Sequence, residues 1–293
     1  MKIAVIDKKN TTLSVGKETF KVDGQNIPFR LVDLLIVNHK VRLESSDILK
    51  LTKNSISLLF LSAKSDNMAL VQSKNSKASE LKEAQYYALS HRLEFAKYFV
   101  TQKILHHQSQ LKKHNIELNV ELLLEQIKQV KSVESLMGIE GTFARLYFKH
   151  YFSLFDEHLH KGKRSKNPPK DPLNAMMSYF YMLYYHLISA KLLSYGFELG
   201  IGYLHTPFRG HNALASDFME LFRADINEAI FELFSNKLLT LEEFSFKGGV
   251  FLRFDARKKI WKEYVALTKK LKPRLDQEIA KLKGEIYEKK SNH

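Results

Sequence analysis

The hydrophobic rhythm of this chain of 293 residues changes near residue 75, and that change constrains its fold more than any other feature. From Lys2 to about Gln72 the apolar residues come in short, β-branched runs: IAVI, TLSV, FKV, LLIV, VRL, SISLLFL and MALV. Such runs read as strands. Gly16, the pair Asp23 and Gly24, and the polar tract Ser62 to Asn67 punctuate them as turns, and Ser46 to Thr52 reads as one short helix capped by Ser46. After the small, polar stretch SKNSKAS the spacing becomes helical, over about 78–112, 118–130, 132–157, 171–197, 213–236 and 256–288, with Pro273 expected to kink or split the last helix. The expectation is an α+β chain: a small β-rich N-terminal domain at 1–75, a linker at 76–84 and a larger all-helical domain at 85–293. No internal repeat is visible, so a solenoid is not supported.

Charge narrows the class of partner. Lys and Arg number 46 against 32 Asp and Glu, a formal excess of +14, which favours a polyanionic partner such as nucleic acid or an anionic membrane surface. The absence of cysteine excludes disulfides, thiolate nucleophiles and Cys-ligated metals, so any metal must sit on His, Asp or Glu. The start MKIAVIDKKN has no apolar signal core, and a cytoplasmic protein is expected. The long apolar stretch Leu173 to Phe197 is interrupted by Asn174, His186 and Lys191 and carries five tyrosines. It reads as a buried core helix, with no membrane contact expected.

Two segments concentrate the basic residues. From Arg257 to His293 there are 12 Lys or Arg and 5 Asp or Glu, an excess of +7. The tract KGKRSKNPPK at 161–170 holds five basic residues and no acid, and Pro168 and Pro169 keep it from being helical. It is expected to be an exposed basic loop whose Lys161, Lys163, Arg164 and Lys166 contact DNA phosphates, or else a solvated connector.

ATP-binding, zinc-protease and α/β-hydrolase signatures are absent. Most histidines, among them His106, His107, His158 and His160, fit surface or fold-satisfying roles. One constellation differs. In GYLHTPFRGHNALASDFMELFRADI, His205 follows a glycine turn, while Asp217 and Glu220 share one face of an otherwise apolar helix. Acids there need a cation or a basic partner, and Arg223 one turn from Glu220 can be that partner. Glu140, between Gly138 and Gly141, is a second unusual acid. It is either a solvated residue at a helix break or a carboxylate that a metal or phosphate can approach.

The blocks GIEG at 138–141, PPKDPLNAMMSYFYMLY at 168–184, and LH at 204–205 followed by LASDFMELFR at 214–223 occur in one order, and this set resembles the CRISPR-associated adaptation integrase family. The resemblance implies a small β-domain joined to a helical catalytic domain, with Glu140, His205 and Glu220 as metal ligands and Asp217 as the neighbouring acid. Leu221 replaces the family's usual proline after the second acid, and Ala213 replaces a frequent serine. The implied activity is that of a DNA nuclease and integrase, inserting spacers into a CRISPR array by 3′-hydroxyl attack on phosphodiesters. The implied partners are double-stranded DNA, a second copy of the chain docked through its β-domain, and a small ferredoxin-like adaptation protein.

Two carboxylates and one imidazole suit Mg²⁺ or Mn²⁺ better than zinc. Two rivals remain at this stage: a catalytically inactive basic nucleic-acid scaffold, and a metal phosphohydrolase for small nucleotides. A scaffold does not need Glu140, His205 and Glu220 to converge, and a small-nucleotide enzyme needs an enclosed pocket.

Overall fold

The computed structural model describes residues 2–7, 11–38, 41–61, 68–73, 78–206 and 211–291. Strands β1 (Ile3–Ile6), β5 (Leu34–Val37), β6 (Ser57–Leu61) and β7 (Met68–Val71) form one sheet in the order β1-β5-β6-β7. The first two pairings are parallel and the last antiparallel. β2 (Leu13–Val15), β3 (Thr19–Val22) and β4 (Gln25–Pro28) form a separate antiparallel sheet. Its tight turn puts Asp23 at φ 48° and Gly24 at φ 85°, where a glycine is nearly free of strain.

The unbroken run LLIV is explained by burial on both faces. Leu34 and Ile36 join the main helical core, while Leu35 and Val37 pack with Leu13, Val15 and Phe20 in a second, smaller core. A strand covered on both sides has no polar alternation to show. The β-region is therefore seated on the helices, and the Trp261 indole N–H adds a hydrogen bond to Asp7 Oδ2 at 2.5 Å.

Several local expectations change. VRL at 41–43 forms no strand, only one bridge between Thr12 and Arg42, because helix α1 (Ser45–Lys53) begins almost at once. The cap of α1 is Glu44 without a side-chain bond, and the Ser46 hydroxyl turns back to Glu44. The polar tract at 62–67 and residues 76–77 of the expected linker lie outside the described residues. The rest of that linker, 78–84, is already helical in α2 (Ala78–Tyr87).

The remaining helices are α3 (Arg92–Lys112), α4 (Glu121–Gln129), α5 (Val133–Phe152), α6 (Pro172–Ser194), α7 (Ala213–Ser235) and α8 (Phe254–Ser291). A short hairpin of β8 (Phe244–Ser245) and β9 (Phe251–Leu252) precedes α8. α3 packs on α5 and α7, and α6 packs on α7. α6 is the helix expected from the apolar stretch at 173–197. It is buried almost all round, and no described helix is long and apolar enough to cross a membrane. Pro273 does not split α8. Residue 269, whose carbonyl loses its helical partner, is exposed and can be solvated, while Ile260, Tyr264, Leu271, Leu275 and Ile279 pin both halves to the core.

Candidate metal and nucleic-acid site

α5 runs through Gly138 and Gly141 without a break, started by the Ser132 hydroxyl, which accepts the Ser135 N–H at 3.2 Å. The helix-break reading of Glu140 therefore does not hold. A Cβ built on either glycine would meet no atom within 4 Å, so the surface flanking Glu140 is open. Across from it, α7 presents Glu220, which is 3% exposed, and Asp217, which is 0% exposed.

Between these helices lies a residue the sequence reading did not single out. Lys103, buried on α3, pairs its ammonium with Glu140 and stands 2.6 Å from Glu220 Oε2. The other Glu220 oxygen accepts a hydrogen bond from Arg223 Nε at 2.8 Å, and the Arg223 guanidinium lies over the Tyr181 ring. The contact of Lys103 with Glu220 Oε2 is a close ion pair whose angles are poor for a hydrogen bond. Burial alone would raise the Glu220 carboxyl, but Arg223 and then Lys103 hold it well below the usual carboxylate range. Burial would likewise lower the Lys103 ammonium, and Glu220 and Glu140 together raise it. The one sequence signal for Lys103 is its register: Phe95, Phe99 and Lys103 fall at i, i+4 and i+8 on the buried face of α3. Otherwise a lysine with a helical carbonyl neighbour at His107 Nδ1, 2.7 Å from its backbone oxygen, looks like any other helix residue until the acids are placed opposite it.

His205 is held by a clamp. Asp217 Oδ2 accepts the backbone N–H groups of Tyr203 at 2.6 Å and Leu204 at 3.1 Å, and its Oδ1 accepts the N–H of His205 at 2.9 Å. The His205 ring approaches the same Oδ1 through Nδ1 at 2.8 Å. Because that carboxylate oxygen can only accept, Nδ1 carries a proton, and Nε2 is the ring nitrogen left to face a ligand. From the other side Arg92 donates to the carbonyls of Tyr203, at 2.7 Å, and Leu204, at 3.3 Å. Gly202 makes the loop possible, since a Cβ there would fall 2.7 Å from Ala213 Cβ and 2.7 Å from the His205 carbonyl. Asp217 thus has both oxygens occupied and acts on His205 rather than on a ligand.

The 161–170 tract is neither a free loop nor a loose connector. Asn174 in α6 accepts from Ser165 N at 3.0 Å and Arg164 at 2.8 Å, and donates to the Lys163 carbonyl at 2.9 Å. Asp171 caps α6 through Asn174 N at 2.7 Å and also accepts the Lys161 N–H at 3.2 Å. Arg164 is folded inward, against Ser178 and over the Tyr181 ring, which corrects its expected place on an exposed loop. Lys161, Lys163 and Lys166 are exposed. Burial around the Lys166 amine, then Arg223 and Arg164, lower its pKa.

Arg164, Lys166, Arg223 and Arg257 line one cavity of about 540 Å³ together with Tyr179 and Tyr181. No Asp or Glu among the described residues lines it. Arg223 is part of this lining and pairs with Glu220.

The structure therefore brings Glu140 and Glu220 to one cation, with His205 held separately by Asp217. Among the described residues, no three His, Asp or Glu side chains already converge as a metal-holding group. The expected convergence of Glu140, His205 and Glu220 is not present among the described residues; only the two acids are brought together, on Lys103.

A family profile described as CRISPR associated protein Cas1 matches residues 2–266. The chain belongs to the Cas1 family. The CRISPR-associated endonuclease Cas1 1 of Thermodesulfovibrio yellowstonii is 30% identical over 288 residues, covering 90% of each chain. The CRISPR-associated endonuclease Cas1 3 of Thermus thermophilus is 28% identical over 269 residues, covering 89% of this chain and 80% of that one. Among solved structures, a Cas1 protein from Thermotoga maritima superposes with a TM-score of 0.88 at 21% identity, covering 98% of this chain and 97% of the other. A casposase bound to its integration product gives 0.80 at 22% identity, covering 91% and 82%. Both superpose on this chain's fold, a β-rich N-terminal part followed by a mostly helical C-terminal part.

Proposed function

We propose that this Cas1 chain is a metal-dependent DNA endonuclease and integrase, joining a DNA 3′-end to repeat DNA at a site made by Glu140, His205 and Glu220. The observation that carries this reading is the gathering of two buried or half-buried carboxylates about one cation, beside an open cavity of basic and aromatic side chains that no acid lines. The residues fit a divalent ion. Glu220 Oε2 faces Lys103 at 2.6 Å, so a cation position already exists there, and Asp217 engages Nδ1 of His205, which leaves Nε2 as the nitrogen for a ligand. Mg²⁺ or Mn²⁺ suits these donors and would activate the attacking hydroxyl and neutralise charge on the scissile phosphate.

The chain's own groups supply the rest. Asp217 fixes the tautomer of His205, and Arg223 orients Glu220. Arg164, Lys166 and Arg257 are placed to attract phosphates, and the tyrosine rings offer faces on which a base can stack. An inactive scaffold has no use for two acids around a buried ammonium, which is costly to desolvate. A small-nucleotide phosphohydrolase would enclose its substrate, whereas this cavity opens to the surface. Assembly as a homodimer with a small ferredoxin-like adaptation protein belongs to the same proposal.

The test is strand transfer. The protein, the small adaptation protein, a labelled short duplex and a supercoiled repeat plasmid are incubated with Mn²⁺. Label joined to plasmid by the wild type but not by Glu140→Gln is the expected result. Joining that survives in Glu140→Gln, or none by the wild type, overturns the reading.

A further inference from the structure

We propose that Lys103 is the resting counter-cation of this site, holding Glu140 and Glu220 together until an entering divalent ion displaces its ammonium. The inference rests on the metal-site reading above and adds a regulator of metal affinity to it. Lys103 is the group that both acids share: it pairs with Glu140 and lies 2.6 Å from Glu220 Oε2, with only 9% of its side chain exposed. Without a cation there, two carboxylates on facing helices would repel one another in a poorly solvated gap. With the ammonium in place, a second cation entering between the same oxygens meets like charge.

Lys103 is suited to leave. It is held at Glu220 Oε2 by charge pairing at 2.6 Å, with poor angles for a hydrogen bond. A lysine carries its charge on a flexible four-carbon stem, unlike the rigid fork of arginine. Arg223, by contrast, is bonded to the other Glu220 oxygen and seated on Tyr181, and it stays. The open surface beside Gly138 and Gly141 gives room next to Glu140.

A purely structural lysine and a displaceable counter-cation make opposite forecasts for Lys103→Met. Mn²⁺ binding is titrated calorimetrically and by the electron paramagnetic resonance of free Mn²⁺, with thermal unfolding recorded in EDTA and in Mn²⁺. As a counter-cation, Lys103→Met unfolds at lower temperature than wild type in EDTA, gains more from Mn²⁺, and binds Mn²⁺ at least about tenfold more tightly, since a repelling charge is gone. Binding equal to or weaker than wild type overturns the proposal. Glu220→Gln separates the two layers: Mn²⁺ binding by wild type that Glu220→Gln loses, with no tightening in Lys103→Met, defeats the counter-cation role alone. No Mn²⁺ binding by wild type defeats the metal site and this role together. Should Lys103→Met not fold, the side-chain ammonium resonance of Lys103 in ¹⁵N-lysine-labelled wild type decides. A shift or loss on adding Mg²⁺ supports displacement, and an unmoved resonance at saturation overturns it.

Discussion

Asp217 and His205 are joined twice, by the backbone N–H of His205 at 2.9 Å and by its ring Nδ1 at 2.8 Å, both on Asp217 Oδ1. One carboxylate therefore sets the position of the loop and the tautomer of the ring. Asp217→Asn keeps the size but places an amide against N–H donors, so either the loop or the ring loses a partner. The expected result is a roughly 10–100-fold fall in metal affinity and strand transfer, the loss typical for a partner of a metal-ligating histidine. Calorimetry with Mn²⁺ checks it, and unchanged affinity would remove Asp217 from the site.

Gly202 lets that loop meet the start of α7. Gly202→Ala places a Cβ 2.7 Å from Ala213 Cβ, and both atoms are backbone-fixed, so the loop must move. A destabilisation of about 1–3 kcal/mol is expected from this overpacking, together with reduced strand transfer because His205 shifts. Urea unfolding measures the first; wild-type stability in the variant would show that the loop has slack. Ala213 is the small residue at this contact.

Glu220 makes stability depend on acidity. Its carboxyl is held below the ordinary value of 4.5, so the folded state releases this proton more readily than the unfolded chain. That stabilisation is complete above the unfolded value and is lost as the pH falls toward the folded one. Glu220→Gln should therefore flatten the decline of unfolding free energy below pH 4.5. Parallel slopes for wild type and variant would contradict it. Glu220→Ala, which leaves Arg223 without its carboxylate and Lys103 with Glu140 alone, should cost about 3–5 kcal/mol, making Gln the cleaner probe.

The basic tract should separate into two kinds of residue. Replacing exposed Lys161 and Lys163 by alanine is expected to weaken DNA binding across sequences and to reduce the log–log salt slope by about two, with metal binding unchanged. Arg164→Ala should instead loosen the tract, because it removes the bonds to Asn174 Oδ1 and Ser178 Oγ. Gel shifts over a salt series decide: unchanged affinity in the double lysine variant makes those lysines solvated bystanders.

The division into strands and helices was legible because period-2 and helical spacing each persist over many residues. Glu140, His205 and Glu220 stood out because their residue types conflict with their surroundings or adjoin glycines. Arg92 did not, while Asn174 and Lys103 show only as polar interruptions of apolar helix faces, and their roles depend on carboxylates, carbonyls and loop groups distant in sequence. Arg164 was misplaced for a related reason: charge density in a Pro-containing tract signals exposure, and only the tertiary contact with α6 turns one of its five cations inward. VRL was read as a strand from composition, which carries no information about the room left before α1.

The most direct measurement of the central claim is anomalous diffraction at the manganese edge from crystals of the wild-type protein soaked in Mn²⁺. The expected result is an anomalous peak within ligand reach of Glu140, Glu220 and His205 Nε2 that is absent from Glu220→Gln crystals. Manganese bound elsewhere, or no peak at these residues at a concentration that supports strand transfer, would contradict it.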